Sequence, residues 1–218
     1  MLPWRFGRVN YAGGRSSYKM LEYDPILYLG VDIGFARDSS SVAAVYRRES
    51  DDPTAPPTPA LWGHRIWAPP KGGRIEIHQT VVPMLDYLLT NHRVAIVYYD
   101  NYQFVSEAER LVATHGDRFF HEVNQQSQNP KFTALLHSLI NEQQMLSYED
   151  PTARAHLRDT ATRATERGPR IDKIKQTQRI DFTVTLGMAC LALFEDDGAH
   201  VHAAYSQSAH ATPLEALP

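Results

Sequence analysis

The stretch Ile26-Leu27-Tyr28-Leu29-Gly30-Val31-Asp32-Ile33-Gly34 decides how this chain is read. Apolar, β-branched and aromatic residues follow one another with a period of two, the pattern of a β-strand. Leu27, Leu29, Val31 and Ile33 point to one face, and Tyr28, Gly30, Asp32 and Gly34 to the other. Aspartate is a poor strand residue, and an unpaired carboxylate among buried neighbours is costly. The glycines on either side of Asp32 imply open space over its face, room for a metal ion or a phosphate. Taken alone, Asp32 reads equally well as a strand-end residue bonded to nearby backbone. Its company further along the chain decides.

The chain has 218 residues with a formal net charge of −3 and a single cysteine, Cys190. That length suits one domain with a proper core. No stretch approaches a membrane span and the N-terminus carries no signal-peptide pattern. Cys190 falls in an apolar helical pattern, which excludes disulfides and cysteine-based zinc sites and makes a cytosolic compartment the simplest inference. The ten histidines are scattered and read as surface or packing residues.

Outward from the first strand, residues 1–24 form an irregular arm or linker in which arginines alternate with Trp4, Phe6 and Tyr11. A second strand is expected near 41–47 and a third near 61–67, joined by a connection at 51–59 that holds four prolines. A helix carries Ile77, Val81, Leu85 and Leu88, with Pro83 in its first turn or kinking it. The run Val94-Ala95-Ile96-Val97-Tyr98-Tyr99 is a buried strand that leads into Asp100. The next helix stops at Gly116, and a short fifth strand covers 119–123. Asn129-Pro130 is expected to cap a helix, and Asp150-Pro151 another, polar and arginine-rich, to about Arg167. The basic segment 170–179 reads as a hairpin or loop. A helix from about Asp181 to Phe194, apolar nearly all round, should be buried against the sheet. Residues 196–218 read as a disordered tail. The expected class is α/β, with a mixed sheet in which an antiparallel meander joins parallel strands through crossover helices.

In such a sheet a right-handed crossover lays the fourth strand beside the first, bringing Asp100 near Asp32, and the buried last helix can carry Asp181 to the same point. Three converging carboxylates repel one another unless cations lie between them. Hard oxygen ligands suit Mg²⁺ or Mn²⁺, and two such ions about 4 Å apart form a clamp for in-line attack on a phosphodiester. Singly, Asp100 also reads as a turn residue capping the next helix, and Asp181 as an ordinary N-cap. Together, in this order, a metal site is the better reading.

The segment Leu29-Gly30-Val31-Asp32-Ile33-Gly34 with Arg37-Asp38-Ser39-Ser40, the strand ending Val97-Tyr98-Tyr99-Asp100, and Arg179-Ile180-Asp181-Phe182 before Gly187-Met188-Ala189 resemble the nuclease domain of tailed-phage large terminases. The resemblance covers roughly residues 27–195 and places the nuclease domain at 25–195. It implies a ribonuclease H-like fold and a metal-dependent endonuclease that cuts concatemeric viral DNA. It implies further that Asp32, Asp100 and Asp181 are the catalytic, metal-binding triad for two divalent cations, Mg²⁺ or Mn²⁺. Asp38 is a candidate auxiliary carboxylate, although a turn role suits it better. Lys173 is a candidate phosphate contact, as readily read as a solvated lysine. The implied partners are double-stranded DNA, a packaging ATPase domain, the small terminase subunit and the portal, in the cytoplasm of an infected bacterial host.

Complete large terminases carry an N-terminal packaging ATPase, whereas this chain has no G-x-x-x-x-G-K-[ST] phosphate loop. An excised nuclease domain or a truncated or split protein is therefore expected, with no ATPase activity. Three other readings stand beside this one. A resolvase-like ribonuclease H-like nuclease would use the same triad. Gly30-Val31-Asp32-Ile33-Gly34 also resembles the first phosphate loop of the sugar kinase, Hsp70 and actin superfamily, which needs a second such loop that the chain lacks. A non-catalytic DNA-binding or assembly module is the third.

Between residues 151 and 180 the chain carries Arg154, Arg158, Arg163, Arg167, Arg170, Lys173, Lys175 and Arg179 against Asp159, Glu166 and Asp172, a local excess of five positive charges. The spacing pairs Arg154 with Arg158, and Arg163 with Arg167, on helical faces. A solvated helix laced with ion pairs explains this by itself. Next to the triad, Arg170, Lys173, Lys175 and Arg179 are the expected DNA-binding residues.

Overall fold

A computed structural model describes residues 24–48, 58–101 and 104–196. The arm expected before residue 24, most of the proline-rich connection and nearly all of the expected tail lie outside these residues.

Five strands form one sheet: β1 (Leu27–Asp32), β2 (Ser40–Arg48), β3 (Thr58–Trp67), β4 (Val94–Tyr99) and β5 (Phe120–Glu122), in the order β3-β2-β1-β4-β5. The meander β1-β2-β3 is antiparallel, while β4 lies parallel to β1 and β5 parallel to β4. The crossover argument therefore holds, with the fourth strand directly beside the first. Helices α1 (Val81–Asn91) and α2 (Val105–His115) supply those crossovers. Pro83 lies in the first turn of α1, where its missing N–H costs nothing.

The period of two in β1 divides the core. Leu27, Leu29 and Val31 pack with Leu85, Leu88, Phe104 and Leu111 of the α1/α2 layer. Tyr28 packs on the opposite side with Phe132 of α3 (Gln125–Asn141) and Met188 and Leu193 of α5 (Asp181–Glu195). Every residue of α5 from Asp181 to Leu193 is buried, as its apolar circumference requires. At about 1.5–3 kcal/mol for each large aliphatic or aromatic side chain removed from water, this helix is a principal source of stability.

Two expected helices differ. The start of α3 is capped by Asn124, whose Oδ1 accepts the N–H groups of Gln126 and Ser127; Pro130 lies inside the helix. Asn129 is not a cap. It is buried, and its Oδ1 accepts from Ile171 N–H and the Thr133 hydroxyl. The arginine-rich helix α4 (Pro151–Arg158) ends at Arg158 rather than near Arg167. Strands β6 (Thr160–Thr165) and β7 (Gly168–Lys173) follow as an antiparallel hairpin. The β-branched Thr160, Thr162 and Thr165 favour the strand, and a two-residue turn before Gly168 closes the hairpin. Arg163 and Arg167 therefore share no helical face. Among the described residues, no helix is long and apolar enough to cross a membrane.

Candidate active site

Register places the first two carboxylates. Val31 of β1 pairs with Tyr99 of β4, so Asp32 and Asp100 follow at the same end of two adjacent parallel strands. The carboxyl ends of parallel strands are where α/β sheets build their sites. Asp32 is half-buried and is also paired in register with Ser41 of β2.

Asp181 opens α5 and is only 5 % exposed. It is not an N-cap: that position is Ile180, which has no capping side chain. Its Oδ2 instead accepts the backbone N–H of Ser39 at 3.1 Å, from the loop that links β1 to β2. The chain folds this way because Gly30 lets α5 lie on the sheet. A Cβ at Gly30 would stand 2.0 Å from the carbonyl oxygen of Thr185, and Thr185 Oγ1 also meets Ser41 Oγ at 3.1 Å.

The carboxylates feel one another. Burial, then the charges of Asp181, Asp100 and Asp38, hold the Asp32 carboxyl well above its usual range. Asp181 is pushed up to about 6 by burial and by Asp38, against the pull of the Ser39 N–H and Lys173. Asp38 forms a short ion pair with Lys173 at the end of β7. It thus sits beside the cluster as a paired carboxylate, and the basic hairpin is tied to the β1–β2 loop.

The space expected around the glycines is not open. Thr185 O and Ala189 N of α5 fill the side of Gly30, and the carbonyls of Asp38 and Ser39 crowd Gly34, with distances of 2.0–2.9 Å from the Cβ each would carry. The glycines serve close backbone packing rather than ligand room. Among the described residues, no group of three or more His, Cys, Asp or Glu side chains is arranged to hold a metal ion. The donor chemistry nevertheless fits a hard cation: Asp32 and Asp181 are carboxylates raised in pKa first by burial and then by neighbouring carboxylate charges. Beside them the buried hydroxyl of Ser39 has no hydrogen-bond partner among the described residues. Coordination requires the carboxylates to turn toward a common point.

Among the basic residues, Arg154, Arg158 and Arg163 take surface ion pairs with Glu149, Asp159 and Asp172, the solvated pattern. Arg170 and Lys173 lie on β7, and Lys175 and Arg179 on the segment between β7 and Asp181, where Lys175 is exposed and Arg179 half-buried.

Ser39 and His156 escaped the sequence reading. His156, near the end of α4, is buried, and its Nδ1 accepts the N–H of Phe182 at 3.2 Å. Burial, with help from Arg179, lowers its pKa. His64 of β3 packs its ring against Phe182 and meets the Tyr148 hydroxyl at 2.5 Å. The long-range partners of these histidines are not visible in the sequence.

The sequence matches no family profile and no curated protein. Its structure resembles the large terminase nuclease of thermophilic phage G20c, at a TM-score of 0.61 and 18 % identity over 84 % of this chain and 91 % of that one. The same nuclease with bound magnesium aligns at a TM-score of 0.59 and 18 % identity, over 84 % of this chain and 90 % of that one. The large terminase of bacteriophage HK97 aligns at a TM-score of 0.63 and 16 % identity over 78 % of this chain, which spans 40 % of that longer protein. With the mixed sheet order and the helix laid across β1, these likenesses give the chain the ribonuclease H-like fold of phage large-terminase nuclease domains.

Proposed function

We propose that this chain is a divalent-metal-dependent DNA endonuclease of the large-terminase type, with residues 25–195 as its nuclease domain. What supports this is that Asp32 and Asp100 follow adjacent parallel strands at the same end and that Asp32 feels the charges of Asp181 and Asp100, within a fold shared with a nuclease solved with bound magnesium. Asp32, Asp100 and Asp181 would hold two Mg²⁺ or Mn²⁺ ions. When bound, such ions polarise the phosphodiester and offset the charge that develops on its oxygens.

The chain's own residues do the rest. Ser39 N–H fixes one oxygen of Asp181. Arg170, Lys173, Lys175 and Arg179 guide a DNA backbone toward the carboxylates through phosphate contacts without sequence preference. Lys173 exchanges Asp38 for phosphate as DNA arrives, and Asp38 is then available as an auxiliary carboxylate. In the setting proposed, a packaging ATPase, the small terminase subunit and the portal bring concatemeric viral DNA to this site in the cytoplasm of the infected host.

The test is plasmid DNA incubated in parallel with EDTA, Mg²⁺ or Mn²⁺, with Asp100→Asn as control. Cleavage in either metal, none in EDTA and none by folded Asp100→Asn is the expected result. Metal-independent cleavage, or full activity in the variant, would overturn the reading.

A further inference from the structure

The first turn of an α-helix leaves backbone N–H groups without partners inside the helix, and a side chain at the N-cap usually takes one of them. In α5 the N-cap is Ile180, which cannot. The N–H of Phe182 is bonded instead by His156 Nδ1, which reaches across from α4 at 3.2 Å. A second link joins the same two turns: Thr160 Oγ1, just after α4, lies 2.9 Å from Thr183 Oγ1 and 2.7 Å from His156 O. The Phe182 ring below is packed against His64, with centroids 4.7 Å apart. The peptide so held is the one that joins Phe182 to Asp181. Asp181 therefore has two fixings, its own carboxylate on Ser39 N–H and its following amide on His156.

Resting on the nuclease reading above, we infer that His156 is a positioning residue for Asp181, serving as the remote cap of α5 that sets the direction of this carboxylate for cation binding. To accept from Phe182, Nδ1 must be unprotonated, with the ring proton on Nε2. The imidazole is buried and bonded to α5, and the charged or titratable groups that act on it are Arg179, Asp159, His64 and Lys173. Outer contacts that orient a metal ligand typically change metal affinity by about ten- to a hundredfold when removed. The role is carried by an acceptor at one position, so another acceptor of similar reach should replace it.

The experiment uses the full chain as wild type, His156→Leu and His156→Asn. Leucine fills the buried volume without an acceptor, and the asparagine amide oxygen stands close to where Nδ1 was. Three quantities are read: hydrogen exchange of the Phe182 amide, the Mn²⁺ concentration giving half of the melting-temperature shift, and the metal dependence and limiting rate of plasmid cleavage. His156→Leu is expected to speed Phe182 exchange at least about tenfold and to raise both metal midpoints by about tenfold, with His156→Asn close to wild type in all three. A folded His156→Leu protein with wild-type metal midpoints overturns the inference. So does a folded His156→Asn protein that protects Phe182 yet keeps a tenfold-raised midpoint, which also decides the matter should the leucine variant not fold. Wild-type protein that neither cuts DNA nor responds to Mn²⁺ would instead remove the nuclease reading itself, and the positioning role with it.

Discussion

The backbone N–H of Ser39 donates to Asp181 Oδ2 across 142 positions of sequence. This single bond joins the loop after β1 to the first turn of α5, and so ties the two ends of the domain's chain at the candidate site. It also leaves Asp181 only partly compensated, because the carboxylate is buried and Asp38 repels it from the same loop.

That imbalance has a pH signature. A carboxyl whose folded pKa is raised from the usual 3.8 to about 6 binds more protons in the folded than in the unfolded state between those values. Stability from Asp181 is therefore retained below about pH 4 and lost as pH rises toward and beyond 6. Asp181→Asn removes the penalty. In EDTA the variant should exceed wild type by on the order of 3 kcal/mol at pH 7.5, and the gap should close near pH 4. Urea melts at the two pH values check this; a variant less stable than wild type at pH 7.5 would contradict it.

Gly30 carries the packing of α5. An added methyl would stand 2.0 Å from a helix backbone oxygen that cannot move alone. Gly30→Ala is expected to cost at least about 3 kcal/mol by overpacking, read as a fall in the urea midpoint or loss of soluble protein. An unchanged midpoint would mean that α5 does not lie on β1 as described.

The basic residues divide into two classes. Lys173→Ala and Lys175→Ala should each flatten the salt dependence of DNA binding by about one unit. Arg154→Ala should leave it unchanged, since that side chain is 82 % exposed and paired with Glu149. Binding measured from low to moderate salt on a short duplex separates these outcomes.

Much of this was legible in the sequence because it rests on short-range patterns. The period of two in β1 divided the core correctly, and the apolar circumference of α5 predicted its burial. The right-handed crossover rule placed β4 beside β1. Errors arose where local signals compete. Asn129-Pro130 looks like a helix start, yet Asn124 caps the helix and Asn129 is spent on Ile171 of the hairpin. The arginine spacing fits a helix where the β-branched Thr160, Thr162 and Thr165 make strand. The glycines beside Asp32 signalled close approach, and sequence alone did not say whether a ligand or a backbone would approach. The roles of Ser39 and His156 are not legible in the sequence because their partners are brought to them only by the fold.

The nuclease proposal requires Asp32 and the carboxylates whose charges it feels to bind a cation. Calorimetric titration of Mn²⁺ into wild type and into folded Asp32→Asn at pH 7.5 tests it most directly. Saturable binding to the wild-type protein is expected, accompanied by proton release from the raised carboxyls, with loss of that binding in Asp32→Asn. Equal binding by both proteins, or none by either, would contradict it.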